Sequence, residues 1–205
     1  MSTQKFKLAL ISCAVIAAFP ITTLAATSLI DGYSGVMPDN GFIAKDVTAT
    51  ITGTDIELKE LDGVGGSISE SSTVTIGTDQ TNSISLSTTG SALHIDSSNT
   101  TLKAKEITLS SSVSDTLSIH KASTVSIGNE NTETITITSD AEGGFAGIFM
   151  KKQKEDPASP SVTLKAKNIN ITTKDSGVWL QSGTEDVKTP DNGTHLTISA
   201  ENITI

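Results

Sequence analysis

Ser72–Gly77 reads STVTIG, and Ser123–Gly128 further along the chain reads STVSIG. At the same offset Ser83–Thr88 (SISLST) meets Thr134–Ser139 (TITITS). A second unit, TLKAKEITL at Thr101–Leu109, returns as TLKAKNINI at Thr163–Ile171. From its leucine onward that unit reappears as ISAENITI at Ile198–Ile205. Ile43–Thr48 (IAKDVT) repeats Ala104–Thr108 more weakly. Units that recur in a shared order mark a repeat architecture, in which each copy buries its apolar face only against its neighbours.

Within the units the apolar residues alternate. Val74-Thr75-Ile76, Ile84-Ser85-Leu86, Leu93-His94-Ile95, Ile107-Thr108-Leu109, Leu117-Ser118-Ile119, Val125-Ser126-Ile127 and Ile135-Thr136-Ile137 each place two aliphatics on one side of a strand. Val, Ile and Thr suit a pleated surface, and the Gly, Asn, Asp and Ser between triplets suit turns. Short strands at this spacing fit a sandwich, a barrel or a solenoid. Three features favour the solenoid. The steps from Ser72 to Ser123 and from Thr101 to Thr163 correspond to two and three coils if a coil takes roughly 20–25 residues. No two-residue hairpin signature separates adjacent triplets, since Asn40-Gly41 and Asn192-Gly193 lie in longer loops. The interior is poor in aromatics, with only Tyr33, Phe42, Phe145, Phe149 and Trp179 beyond the first two dozen residues. The expected fold is all-β, a right-handed parallel β-helix (β-solenoid). In the LKAK unit, Leu102, Ala104, Ile107 and Leu109 are expected to point inward, with Lys105-Glu106 at a corner. Ala104, Ala166 and Ala200 would fill the narrow part of that corner.

The predicted organisation is a signal peptide at 1–25, a cap or lead-in at 26–41, and a solenoid at 42–205 that stops in mid-repeat. Lys5 and Lys7 precede an apolar run from Leu8 to Phe19, Pro20 breaks it, and Thr23-Leu24-Ala25 offers a small-x-small cleavage site after Ala25, with Ala26 as the alternative. The run is too short for a permanent span of ~20 residues. A buried N-terminal helix is the other reading, and Leu10-Ile11-Ser12-Cys13 within the run also resembles a lipidation box. Without the signal the chain has no cysteine, which excludes disulfide scaffolds and thiolate metal sites. Lys59–Ser72, Lys151–Ser161 (KKQKEDPASPS) and Thr184–Thr194 are expected as loops, the second as an insertion projecting from a coil.

The 205-residue chain is acidic, with a net charge of −9, and all 14 of its basic residues are lysines. Losing Lys5 and Lys7 with the signal would make the charge two units more negative. An acidic chain without arginine is a poor match for phosphates or guanine edges, so no nucleic-acid partner is expected.

A signal followed by STVTIG, TLKAKEITL, TLKAKNINI and ISAENITI resembles the passenger region of bacterial autotransporter adhesins over most of residues 42–205. The resemblance implies display outside a Gram-negative cell after export through the inner membrane. It implies contact with a surface ligand, carbohydrate or host protein, and membrane attachment only through a C-terminal barrel. Such a barrel needs many alternating ~10-residue segments, and this chain carries none of them.

The motifs of catalysis are missing from the sequence. There is no HExxH pair, Walker loop, GxSxG elbow or EF-hand loop, so neither an enzymatic activity nor a cofactor is expected. His94, His120 and His195 fall in different repeats and read as surface histidines. Asp31, Asp39 and Asp191 sit in turns where Asp is common for backbone reasons, with a calcium site as the other reading. The sharpest candidate is an outer ladder. Leu93-His94-Ile95, Ile148-Phe149-Met150 and Val178-Trp179-Leu180 share an in-out-in pattern. Phe149 and Trp179 lie close to one coil apart once the Lys151–Ser161 insertion is set aside. They are expected to stack outside the coil, where exposed rings contact sugars or partners. The plainer reading is local packing beneath the Lys151 loop. Lys103 and Lys165 would align outward about three coils apart, most simply as a solvated face. A polysaccharide-degrading β-helix enzyme is the main alternative, but it needs clustered carboxylates at strand-matched positions, which do not recur here. A trimeric spike fragment is the third.

Overall fold

The computed structural model describes residues 41–59, 63–153, 156, 158–182 and 193–205. The predicted signal peptide, nearly all of the lead-in, Asp31, Asp39, Asp191 and most of Thr184–Thr194 lie outside the described residues.

Among the described residues the chain forms eighteen strands in six coils of three. The first coil holds β1 (Phe42–Lys45), β2 (Thr48–Ile51) and β3 (Asp55–Lys59), and the second β4 (Gly66–Ser69), β5 (Thr73–Gly77) and β6 (Ser83–Thr88). The third holds β7 (Leu93–Asp96), β8 (Asn99–Lys103) and β9 (Glu106–Ser111), and the fourth β10 (Leu117–His120), β11 (Thr124–Ile127) and β12 (Thr134–Ser139). The fifth holds β13 (Ala146–Lys152), β14 (Ser161–Lys165) and β15 (Asn168–Thr173), and the sixth β16 (Ser176–Ser182), β17 (His195–Ser199) and β18 (Asn202–Thr204). Each strand pairs in parallel with its counterparts one coil away, so three six-stranded sheets run the length of the stack. The first sheet is built from β1, β4, β7, β10, β13 and β16, the second begins with β2 and the third with β3.

The alternation seen in the sequence becomes stacked columns. Ile68, Ile95, Ile119, Met150 and Leu180 form one column of the first sheet. Ile84, Ile107, Ile135 and Ile169 form one of the third. From Ile68 to Met150 and from Ile84 to Ile169 every side chain is at most 1 % exposed. Full burial of such a side chain contributes about 1.5–3 kcal/mol, and the interior is a single continuous apolar cluster.

The corners explain the repeat units. Between the first and second sheets the backbone enters the left-handed region at Asp46, Glu70, Ser71, Ser97 and Lys121. A buried serine follows in three coils: Ser72, Ser98 and Ser123. Ser98 Oγ accepts from Ser72 N–H of the coil below (3.2 Å), and Ser123 Oγ accepts from Ser98 N–H (3.3 Å). Each hydroxyl also donates to a carbonyl of its own coil, Ser72 to Ser69, Ser98 to Asp96 and Ser123 to His120. Buried N–H groups outside the ladders are thereby satisfied.

Between the second and third sheets two kinds of corner recur. In the second and fourth coils the STVxIG unit ends at Gly77 or Gly128, both at φ +79°, and a long corner follows. Thr81 and Thr132 close it, their hydroxyls accepting from Thr78 and Asn129 N–H and donating to Gly53 and Ala104 carbonyls one coil below. In the third, fifth and sixth coils the LKAK unit and its ISAE copy make a short corner, with Ala104 and Ala166 buried as expected and Ala200 half-buried against the core.

Several sequence expectations are corrected by this arrangement. Coil length is not constant. Ser83 pairs with Glu106, a short step, whereas Thr124 pairs with Ser161 across the KKQKEDPASPS insertion. Many coils are therefore longer than the roughly 20–25 residues assumed. The step from Thr101 to Thr163 is two coils, not three, because Thr101 pairs with Ser126 and Ser126 with Thr163. Lys103 and Lys165 are likewise two coils apart, separated by the Gly128 level. Ile43–Thr48 does not stack on the LKAK unit: Ala44 faces Ile68 in the first sheet, whereas Ala104 lies at a corner between the second and third. Lys59–Ser72 is not all loop, since it contains β4. The insertion is shorter than Lys151–Ser161, because β13 continues through Lys152 and β14 starts at Ser161.

Candidate ligand-binding ladder

The outward positions of the first sheet form two rows. One runs Ile43, Ser67, His94, Ser118, Phe149, Trp179. The other includes Asp96, His120, Lys151 and Gln181. Phe149 and Trp179 are direct register partners on β13 and β16, one coil apart, and their rings meet edge-to-face at 5.4 Å and 70°. The expected stacking of these two rings outside the coil is what the structure contains.

The ladder is longer than the sequence suggested. His94 and His120, read as scattered, come together with ring centroids 5.0 Å apart. His120 then meets the Phe149 ring at 5.6 Å and 66°. His120 begins in the neighbouring row, two residues beyond Ser118 on β10. Ser118 is too small to fill its level between His94 and Phe149, so the imidazole leans back over it, with Nε2 2.9 Å from Ser118 Oγ. The result is an unbroken file of His94, His120, Phe149 and Trp179. Edge-to-face pairs of this kind add about 0.5–1.5 kcal/mol beyond their burial. Trp179 is 42 % exposed, while the other three rings are half-buried.

Charge surrounds the imidazoles. Lys121 bonds Asp96 at 2.8 Å, and Ser97 Oγ donates to the same carboxylate. Burial works against ionised Asp96, but the hydrogen bonds from Lys121 and Ser97 together with the lysine charge outweigh it and hold Asp96 below the usual carboxylate range. The Asp96 hydrogen bond in turn raises Lys121. Burial lowers both histidines from their ordinary value. Asp96 opposes this at His94, and Lys121 adds to it. At His120 the like charge of His94 is the next cause, followed by opposition from Asp96 and further lowering by Lys151 and Lys121. A stack of neutral imidazoles and aromatic rings beside lysines offers flat apolar surface edged by hydrogen-bond donors.

The remaining candidates are dispersed. His195 lies on the exposed face of the second sheet, away from the ladder. Lys165 pairs with Glu130, an ordinary solvent-facing contact. Among the described residues no group of three or more His, Cys, Asp or Glu side chains is placed to hold a metal ion. The residue that sequence reasoning missed is His120. Its signal was Ser118, a small outward residue between two large ones. Comparison of the chain with protein-family models, with curated proteins and with solved structures gives no match.

Proposed function

We propose that this chain is an exported β-solenoid segment, displayed on or released from a Gram-negative cell, and that its role is structural and adhesive rather than catalytic. In this reading the solenoid is a right-handed β-helix, the hand that parallel crossovers overwhelmingly adopt. It projects the ring ladder, with Phe149 and Trp179 as contact residues, towards a carbohydrate or protein ligand on another surface. A C-terminal barrel of the kind the autotransporter resemblance implies would anchor it. The observation that carries the reading is the unbroken ring file on one face of an otherwise Ser/Thr-rich stack. Fold alone assigns no function, so the weight rests on that surface.

The experiment is expression of the chain in a Gram-negative host, followed by fractionation and N-terminal sequencing. The expected product begins at Ala26 and lies beyond the inner membrane. A full-length product confined to the cytoplasm refutes export. A glycan and matrix-protein array then tests adhesion: Trp179→Ala is expected to weaken whatever binding the unsubstituted chain shows. Equal binding by that variant removes the ladder from the account.

A further inference from the structure

We infer that the ladder takes a polyanionic glycan and holds it more tightly in mildly acidic surroundings, because His94 and His120 gain charge at one end of the ring file. The inference rests on the ladder being the contact surface, and it adds the ligand class and its control.

Two imidazoles 5.0 Å apart are the only titratable members of a file that continues into Phe149 and Trp179. Their charged neighbours come from each element packed around them. Asp96 ends β7 and bonds Lys121, which follows β10. Lys151 on β13 is the register partner of His120. Asp156, from the loop after β13, acts on Lys121. On the β4 side the register partner of His94 is uncharged Ser67. With the histidines neutral, these two lysines and two carboxylates cancel. Protonation of the two imidazoles adds positive charge and makes the patch positive, on a molecule whose net charge is −9.

Geometry also restricts the ligand. The new charges lie in line with the rings, so a ligand that exploits both must lay flat C–H surface on Trp179 and Phe149 and carry anionic groups one to three coils away. Coil spacing in a parallel sheet is about 4.8 Å, which places the imidazoles roughly 5–15 Å from the two rings. A polysaccharide with a sulfate or carboxylate on successive sugars meets that spacing. A neutral glycan gains nothing from the imidazoles, and an acidic polypeptide gains nothing from the ring faces. The cost of charging both histidines is a built-in threshold. Burial and mutual repulsion keep the second proton off until the medium is acidic or an anion arrives.

The test measures binding of the purified chain to immobilised heparin, dextran and polyglutamate at about pH 7.5 and about pH 5.5, spanning the ordinary histidine range. Heparin binding is expected to tighten on acidification by roughly 2- to 30-fold, the gain that two partly exposed charge pairs supply. Dextran should not respond. The His94→Asn/His120→Asn double variant should lose the acid gain, and His120→Gln alone should lose part of it, each checked for intact far-ultraviolet circular dichroism. Should the double variant misfold, Lys151→Gln provides the second readout, lowering heparin affinity at both pH values. An acid gain that survives in the folded histidine variants, or one equally large for dextran, overturns the inference. So does a gain for polyglutamate that is as large and indifferent to Trp179→Ala. If heparin, dextran and polyglutamate all fail to bind at either pH, the inference falls alone. The ladder as a contact surface falls only if Trp179→Ala also leaves binding to the arrayed ligands unchanged.

Discussion

Replacing Gly128 by alanine tests whether the end of the STVxIG unit is dictated by contact between coils. Gly128 sits at φ +79°, where a residue with a Cβ is disfavoured by about 1–2 kcal/mol. That cost is local and applies equally to Gly143, at φ +93°. The two sites differ in what surrounds them. A Cβ on Gly143 meets nothing within 4 Å. A Cβ on Gly128 would press on the Lys165 carbonyl oxygen of the next coil, well inside the 3.0 Å that real Cβ atoms essentially never show, and would also meet Ile135 Cδ1 and Thr132 Oγ1 at 3.1 Å. The Lys165 carbonyl belongs to β14, whose register against β11 is set by four paired residues, so it cannot step aside without straining the ladder. Such overpacking costs a further 1–3 kcal/mol or so. Gly143→Ala is therefore expected to lose about 1–2 kcal/mol and Gly128→Ala about 2–5, each reduced by some 0.4–1 kcal/mol because alanine also restricts the unfolded chain. Urea unfolding followed by circular dichroism reads the difference. Amide exchange should place the Gly128→Ala weakening in the fourth and fifth coils, as neighbour-only coupling in a solenoid requires. Gly77→Ala should behave alike, since its Cβ would meet the Lys103 carbonyl in the same manner. The reasoning fails if Gly128→Ala and Gly143→Ala agree within about 0.5 kcal/mol, the scatter of neutral substitutions.

Thr100 occupies an inward position between Val74 and Val125, and its buried hydroxyl has no partner. Thr100→Val is expected to stabilise the protein by about 1–2 kcal/mol, and a lower urea midpoint would contradict this. Ser123→Ala deprives the buried Ser98 N–H of its acceptor and should cost about 1–3 kcal/mol, whereas Ser85→Ala on the outer face should stay within about 0.5. Because His94 and His120 are held below their unfolded value, the unfolded chain takes up protons first as pH falls through about 6.5. Stability should decline from there to the folded values and then level off. The His94→Asn/His120→Asn variant should be flat over that window, and a decline unchanged in the variant would assign it elsewhere. Asp96, lowered in the fold, supports stability above the ordinary aspartate range and withdraws that support only below it, so the two effects separate on the pH axis.

Strands were the legible part of this fold because burial writes them directly. Inward columns are filled mainly by aliphatics, so Val74-Thr75-Ile76 and Ile135-Thr136-Ile137 could be placed without knowing what they pack on. Coil length was not legible, because the corners and insertions that set it lie largely outside the column and no burial pattern constrains them. The insertion between β13 and β14 lengthens the step between the two LKAK units relative to that between the two STVxIG units, which is why it passed for three coils rather than two. β4 was hidden for a different reason. Gly66 looks like a loop glycine, yet a Cβ there would collide with the Phe42 ring and Leu93 Cδ2. Its bareness makes room for a large side chain one coil below.

The ladder divides along the same line. Phe149 and Trp179 occupy equivalent places in like triplets, so a sequence comparison aligns them. His120 lies one outward position further along, and a search for equivalent positions passes over it. It joins the file because a parallel stack leaves a void wherever a small residue falls between large ones, and a ring two residues away on the same strand can reach that void. Ser118 creates the vacancy and also fixes its occupant, since the hydroxyl that leaves space bonds the imidazole that fills it. On the outside of a solenoid, then, a surface is specified by both outward rows together, with the small residues deciding which large ones meet. Enlarging Ser118 to leucine should drive His120 back into its own row and split the file into His94 alone and the Phe149–Trp179 pair.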